Sequence, residues 1–178
     1  TFFEQKFSSP KKLIRSNIQE SGLIIFTLGV APCFFEKTTG EFIIPAEGGI
    51  KAWRNDYIFR NTTVEENINA LEGICNIIKN SNPNTQLVFT LSPVPLKATL
   101  ENIPIFQADN VSKSILRVAI DSFIRNNPEH LYWPSYEMVK NLGVYFDNFY
   151  GKDDGRNRHV SNEVVDLIIK LFITKLQK

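Results

Sequence analysis

What most constrains the fold is an alternation of short apolar runs with stretches of helical period. Leu23-Ile24-Ile25-Phe26-Thr27-Leu28 ends at Gly29, Gln86-Leu87-Val88-Phe89-Thr90-Leu91 ends at Ser92-Pro93, and Leu131-Tyr132-Trp133 ends at Pro134. Short runs without polar alternation suit strands covered on both faces of a parallel sheet, and Leu23 to Leu28 reads as a central strand. Between and around them lie four helical patterns. The first starts at Ser8-Ser9-Pro10, runs over Lys11 to Glu20 and stops at Ser21-Gly22. The second is capped by Asn61-Thr62-Thr63 and carries Val64, Ile68, Leu71, Ile74, Cys75 and Ile78 at helical spacing up to Asn82-Pro83. The third spans Val111 to Ile124. The fourth, capped by Ser161, carries Val164, Val165, Ile168, Phe172 and Leu176. Helices alternating with strands imply a parallel sheet with right-handed crossovers and helices on both faces. With no repeat or linker, residues 1–178 read as one α/β domain.

The stretch Cys33 to Pro45 breaks the alternation: Phe34-Phe35 and Phe42-Ile43-Ile44 flank Thr38-Thr39-Gly40-Glu41, which predicts a small hairpin inserted after the first strand. Charge excludes some partners. With 20 Lys+Arg against 19 Asp+Glu, nothing pulls the chain toward nucleic acid or anionic lipid, so any binding must come from a defined site. Cys33 and Cys75 stand apart among apolar residues, which reads as two buried thiols, with no disulfide scaffold, zinc site or other metal ligand set. No apolar run approaches the roughly 20 residues of a membrane span, no leader opens the chain and nothing specifies export, which leaves the cytoplasm as the default compartment. GxGxxG and GxxxxGK[ST] are both absent, removing dinucleotide and Walker-type sites, and no cofactor is expected.

In an open parallel sheet, ligands bind beyond the carboxyl ends of the strands. Those ends are Gly29-Val30-Ala31-Pro32, Ser92-Pro93-Val94-Pro95 and Pro134-Ser135-Tyr136-Glu137, with the start of the last helix, His159 to Ser161, as a fourth edge. His130, in the polar turn Asn126 to Glu129, reads as a solvated surface residue. His159 follows Asp153 and Asp154 in a polar loop, where a carboxylate fixing its tautomer makes it a general base; the alternative is a charged, solvated loop. Ser92 and Ser135 end strands at the favoured edge, as backbone-bonding hydroxyls or substrate contacts. Lys113 and Arg117 share a helix face, either reaching an anionic group or staying solvated, while Ser114 and Leu116 read as packing. Glu137 is read as orienting a base, binding a sugar hydroxyl or making a structural hydrogen bond. Trp53 and Trp133 are candidates for stacking on a sugar ring or for packing.

Taken in order, Phe26-Thr27-Leu28-Gly29, Thr90-Leu91-Ser92-Pro93-Val94-Pro95-Leu96, Ser112-Lys113-Ser114-Ile115-Leu116-Arg117, Tyr132-Trp133-Pro134-Ser135-Tyr136-Glu137 and Asp154 to Ser161 resemble the successive motifs of the bacterial GSCFA-domain family. That family is similar to the SGNH (GDSL-type) esterases and acyltransferases. The resemblance implies a three-layer α/β/α sheet of SGNH/flavodoxin-like type and a Ser-His-Asp mechanism acting on a carbohydrate or cell-surface glycan. It makes His159 the base, Asp154 its orienting carboxylate and the Gly29 N–H an oxyanion donor. The departures are specific. No Gly-Ser-Cys-Phe-Ala segment precedes Leu23, so the sheet is expected to lack its first strand and the serine to come from outside these residues. Val30, Ala31 and Pro32 occupy places where the SGNH pattern has a side-chain amide. Arg156 stands three before His159, so Asp154 reaches the histidine only if the loop bulges at Gly155, with Asp153 as the alternative.

Two functional expectations follow: an SGNH-like esterase or O-acyltransferase, and a non-catalytic glycan-binding or structural domain. A three-strand sheet also leaves an edge to be covered, by the helix at Lys11 to Glu20, by Phe2-Phe3, or by self-association.

Overall fold

A computed structural model describes residues 2–44, 56–145, 147 and 149–177, with side chains from Lys11 onward. The chain is an α/β fold. Strand β1 (Leu23–Leu28) pairs parallel with β5 (Gln86–Leu91), which pairs parallel with β6 (Leu131–Trp133), giving the order β1-β5-β6. The three strands are those expected from the apolar runs, and no antiparallel pairing occurs among them. Their positions correct one expectation. The central strand is β5, buried from Leu87 through Leu91, whereas β1 is an outer strand on which Ile25 is 50% exposed. Both runs are apolar throughout, and composition alone does not distinguish a strand with two neighbours from one with a single neighbour.

Side-chain alternation along the strands defines three layers. On one face, Leu87 and Phe89 of β5, with Ile24, Phe26 and Tyr132, pack against Leu71, Cys75 and Ile78 of α2 (Val64–Ser81) and Ile120 and Phe123 of α3 (Ile105–Asn126). Aromatic contacts knit this face: Phe89 stacks on Phe26 at 5.8 Å and meets Phe123 edge-on at 5.2 Å. The opposite face, with Ile25, Thr27 and Thr90, looks toward α4 (Ser135–Leu142) and α5 (Asn162–Leu176).

Helix α2 starts where its sequence signal lies. Thr63 accepts from the Glu66 N–H at 3.0 Å while Glu66 accepts from the Thr63 N–H at 2.7 Å, a reciprocal capping box. Other boundaries move. Helix α1 runs over Phe2–Glu20, so Pro10 lies inside it rather than at its start, and α3 begins at Ile105, just past Pro104, six residues before the periodic stretch. The inserted hairpin is larger than expected: β2 (Pro32–Glu36) pairs antiparallel with β3 (Phe42–Ile43) and with β4 (Tyr57–Asn61), a second three-stranded sheet among the described residues. Gly40 turns it at φ +70°. Trp53 lies outside the described residues, as do the side chains of Phe2, Phe3 and Phe7. Helix α1 contacts α2, and its Ile18 reaches the α2/α3 core, yet Ile25 stays half-exposed on the other face.

Candidate active site

Four segments meet at the carboxyl edge of the parallel sheet, and hydrogen bonds tie each to the next. Leu28 ends β1, and its carbonyl accepts from the Ser92 N–H at 2.8 Å. All peptide bonds described are trans, so the Gly29 N–H, in the same planar unit as the Leu28 carbonyl, points away from β5 toward the open side of β1. The next peptide is also fixed. Lys113, 1% exposed on α3, donates from Nζ to the carbonyls of Gly29, Ser92 and Val94, each at 2.8 Å. These three bonds use every proton of the ammonium. Burial lowers the Lys113 pKa, with Asp109 opposing. Lys113 therefore neither reaches an outside anion nor stays solvated: it staples the loop after β1 to the loop after β5.

Ser112, its neighbour on α3, is buried and accepts from the Ala31 N–H at 2.8 Å. That amide is therefore occupied, and Val30, Ala31 and Pro32 offer no side-chain amide. Ser112 enters the sequence reading only as part of a motif, with no role of its own, although its spacing from Leu116 and Ile120 places it on the apolar stripe. Ser114, read as packing, is instead exposed, while Leu116 is buried as expected.

The segment before α5 holds the expected pair. His159 Nδ1 lies 2.6 Å from Asp154 Oδ2, and Asp154 Oδ1 accepts from the Arg156 N–H at 2.9 Å. The Arg156 amide, with His159 adding, holds the Asp154 carboxyl below its ordinary range. A carboxylate on Nδ1 fixes the proton there and leaves Nε2 as the basic nitrogen, and Nε2 has no hydrogen-bond partner among the described residues. The five-residue separation is spanned by a bulge at Gly155, φ +67°, and a second left-handed residue opens the loop, Gly151 at φ +73°, where an added Cβ would lie 3.3 Å from the Asn157 backbone. The loop is closed at its base: Gly151 donates to the His159 carbonyl, Ser161 donates to Phe149, and Tyr150 bridges to Val160. Asp153 does not make the hydrogen bond to His159. Its Oδ2 accepts from the Asn162 N–H at 2.6 Å, supplying the α5 cap that the Ser161 side chain leaves unmade. Arg158 donates to the Pro95 carbonyl at 3.1 Å, tying this loop to the one after β5.

The remaining candidates are engaged elsewhere. Ser92 Oγ accepts from the Val94 N–H at 3.3 Å inside the proline turn. Ser135 Oγ bonds the Thr90 hydroxyl and donates to the Leu91 carbonyl. Arg117 and Glu137 face each other: Nε donates to Oε1 at 2.7 Å, Tyr132 donates to Oε2 at 2.6 Å, and the guanidinium lies 4.1 Å over the Tyr132 ring. That cluster joins α3, β6 and α4 and makes no hydrogen bond to His159 among the described residues. His130 reverses its surface expectation. It is 1% exposed, accepts from the Leu87 N–H at Nδ1, lies 3.2 Å from Cys75 Sγ through Nε2 and stacks on Phe123. A polar turn in the sequence concealed a side chain that folds back under β5. Cys75 is buried as expected, and Cys33 is partly so.

Asp153, Asp154, His159, Val160 and Asn162 line a cavity of about 240 Å³. Val160 also lines a larger apolar groove of about 410 Å³ between the sheet and α5. No group of three or more His, Cys, Asp or Glu among the described residues is arranged to hold a metal, and no described helix is long and apolar enough to cross a membrane. The GSCFA family model matches residues 3–172. Neither a curated protein nor a solved structure matches the chain.

Proposed function

The chain belongs to the GSCFA family, and from that premise we propose that it carries the base half of an SGNH-like esterase or O-acyltransferase acting on an acylated carbohydrate. The observation behind this reading is the His159–Asp154 pair at the carboxyl edge of a parallel sheet, with Nε2 unpartnered among the described residues. A serine from outside these residues is the nucleophile. Its Oγ attacks the ester carbonyl carbon as its proton passes to His159 Nε2. The Gly29 N–H, turned away from β5, donates to the oxyanion of the tetrahedral intermediate. Collapse breaks the bond to the leaving alkoxide, which takes the proton from Nε2 and departs as an alcohol. Water, or the hydroxyl of an acceptor, then attacks the acyl-serine, gives its proton to Nε2 and releases the acyl group as acid or new ester, and the serine oxygen regains the proton. Asp154 stays ionised throughout and stabilises the imidazolium.

A second reading, a glycan-binding or structural domain without turnover, draws on one observation: the Ala31 N–H is occupied by Ser112 and no amide side chain stands at Val30 to Pro32, so the oxyanion site has fewer donors. The full-length protein decides between them. Hydrolysis of a small ester such as p-nitrophenyl acetate, abolished in His159→Ala with the circular dichroism spectrum unchanged, supports the esterase. Equal hydrolysis by wild type and variant contradicts it, and binding of an acetylated sugar without turnover favours the second reading.

A further inference from the structure

We infer that the backbone N–H of Val30 is a second oxyanion donor, paired with that of Gly29, and that Lys113 is the positioning residue that frees it. This rests on the esterase reading above and deepens it, by assigning the donor that no side chain after β1 supplies. Strands β1 and β5 pair in the register Leu28 to Leu91, and the Ser92 N–H reaches the Leu28 carbonyl at 2.8 Å. In a parallel ladder of this phase every second residue of β1 bonds β5, so the next rung would carry the Val30 N–H to the Ser92 carbonyl and leave the Gly29 carbonyl on the open side. Neither occurs. Lys113 Nζ occupies the Ser92 carbonyl and takes the Gly29 carbonyl as well, each at 2.8 Å. The peptide between Gly29 and Val30 is therefore turned over relative to the strand. It is trans, so with its carbonyl drawn to the ammonium its N–H faces the opposite way.

Two consecutive amides are thus left to a ligand: the Gly29 N–H faces away from β5, and the Val30 N–H faces away from the ammonium seated on the Ser92 carbonyl. Val30 N–H has no hydrogen-bond partner among the described residues, whereas the next amide, Ala31, is taken by Ser112 at 2.8 Å. Val30 is 47% exposed, and it lines one cavity of about 260 Å³ together with Gly29. Successive backbone N–H groups of this kind bind anions, and a tetrahedral oxyanion and a carboxylate product both present a charged oxygen to them. The same ammonium links the donors to the base. Lys113 also holds the Val94 carbonyl, and the adjacent Pro95 carbonyl accepts from Arg158, the residue before His159.

The test is a titration of the ¹⁵N-labelled full-length protein with sodium acetate, the carboxylate product of an acetyl ester, against sodium chloride at equal ionic strength. The expected result is a saturable downfield shift of the Gly29 and Val30 amide protons along one binding curve, with the Ala31 amide, held by Ser112, unmoved. A shift at Gly29 alone, no shift at either, or equal shifts with chloride overturns the inference. Val30→Pro, which deletes this one donor because proline has no N–H, gives a kinetic readout beside the titration, which needs no variant to fold. Its kcat on p-nitrophenyl acetate is expected to fall roughly 100- to 1000-fold, the effect of losing one oxyanion donor, with KM little changed. An unchanged kcat overturns the inference. Paired amide shifts without ester turnover by the wild type would support the donor pair and count against the esterase reading. Turnover with an unmoved Val30 amide would do the reverse.

Discussion

His130 accepts a hydrogen bond at Nδ1 from the Leu87 amide, so in its neutral form Nε2 carries the proton and donates toward Cys75 Sγ. Protonation at Nδ1 would break the Leu87 bond inside the core. Burial accordingly lowers the His130 pKa, against a smaller opposing pull from Glu129. The sign of the pH dependence follows. As pH falls below about 6.5, the unfolded chain takes up a proton at this site and the folded chain does not. The stability contribution is therefore complete above that pH and is lost progressively below it. Thermal melts between pH 7.5 and 5 are expected to show a falling Tm, with a shallower fall in His130→Asn; identical slopes would contradict the buried neutral imidazole. Lys113 makes a second prediction at this scale. Lys113→Met leaves three buried carbonyls without their donor, at an expected cost of about 3–5 kcal/mol in urea denaturation. Hydrogen exchange is expected to quicken first at residues 29–31 and 92–96, and uniform quickening would show that Lys113 does not act as a local staple. Asp154→Asn is expected to lower ester turnover by roughly 10³ to 10⁴-fold, the effect of placing the base in the wrong tautomer, with little change in unfolding because the pair is half-exposed.

Helix starts in this chain illustrate how far local signals reach. The α2 start was legible because Asn61-Thr62-Thr63 stands before a clean apolar period; that Glu66 closes the box emerges only in the fold, where Arg60 completes it by a two-pronged ion pair that helps push Glu66 down to about 2. Thr63→Ala is expected to cost about 1 kcal/mol, read from chemical denaturation, and an unchanged midpoint would mean the cap is unmade in solution. The α5 cap was legible only as to its place. Ser161 occupies the N-cap, yet the acceptor is Asp153, delivered from eight residues upstream by the two left-handed glycines. Spacing along the chain cannot show such a contact, because it depends on how a loop closes. The same limit hid β4, whose Tyr57-Ile58-Phe59 core is short and finds its identity in pairing with β2. It also made β1 look like β5: exchange is expected to be slower along Leu87 to Leu91 than along Leu23 to Leu28, and the opposite order would place the central strand wrongly.

For the molecule as a whole, the parallel sheet, the helices that alternate with its strands and the edge at which loops converge were readable, because each follows from apolar runs, stop residues and the rule for parallel connections. The His159–Asp154 pairing was anticipated as a geometric possibility, and the bulge at Gly155 provides it. What sequence could not show was the fate of the polar residues on α3 and before β6: Lys113, Ser112 and His130 turn inward to satisfy backbone groups that are far away along the chain. The central claim is that His159, held by Asp154, activates a serine at this edge. Its most direct test is a fluorophosphonate, which reports nucleophile activation without any knowledge of the natural ester. Intact-mass measurement of the full-length protein is predicted to show one adduct, mapping to a serine, with labelling slowed at least 100-fold in His159→Ala; no adduct, or equal labelling rates in wild type and variant, would contradict the account.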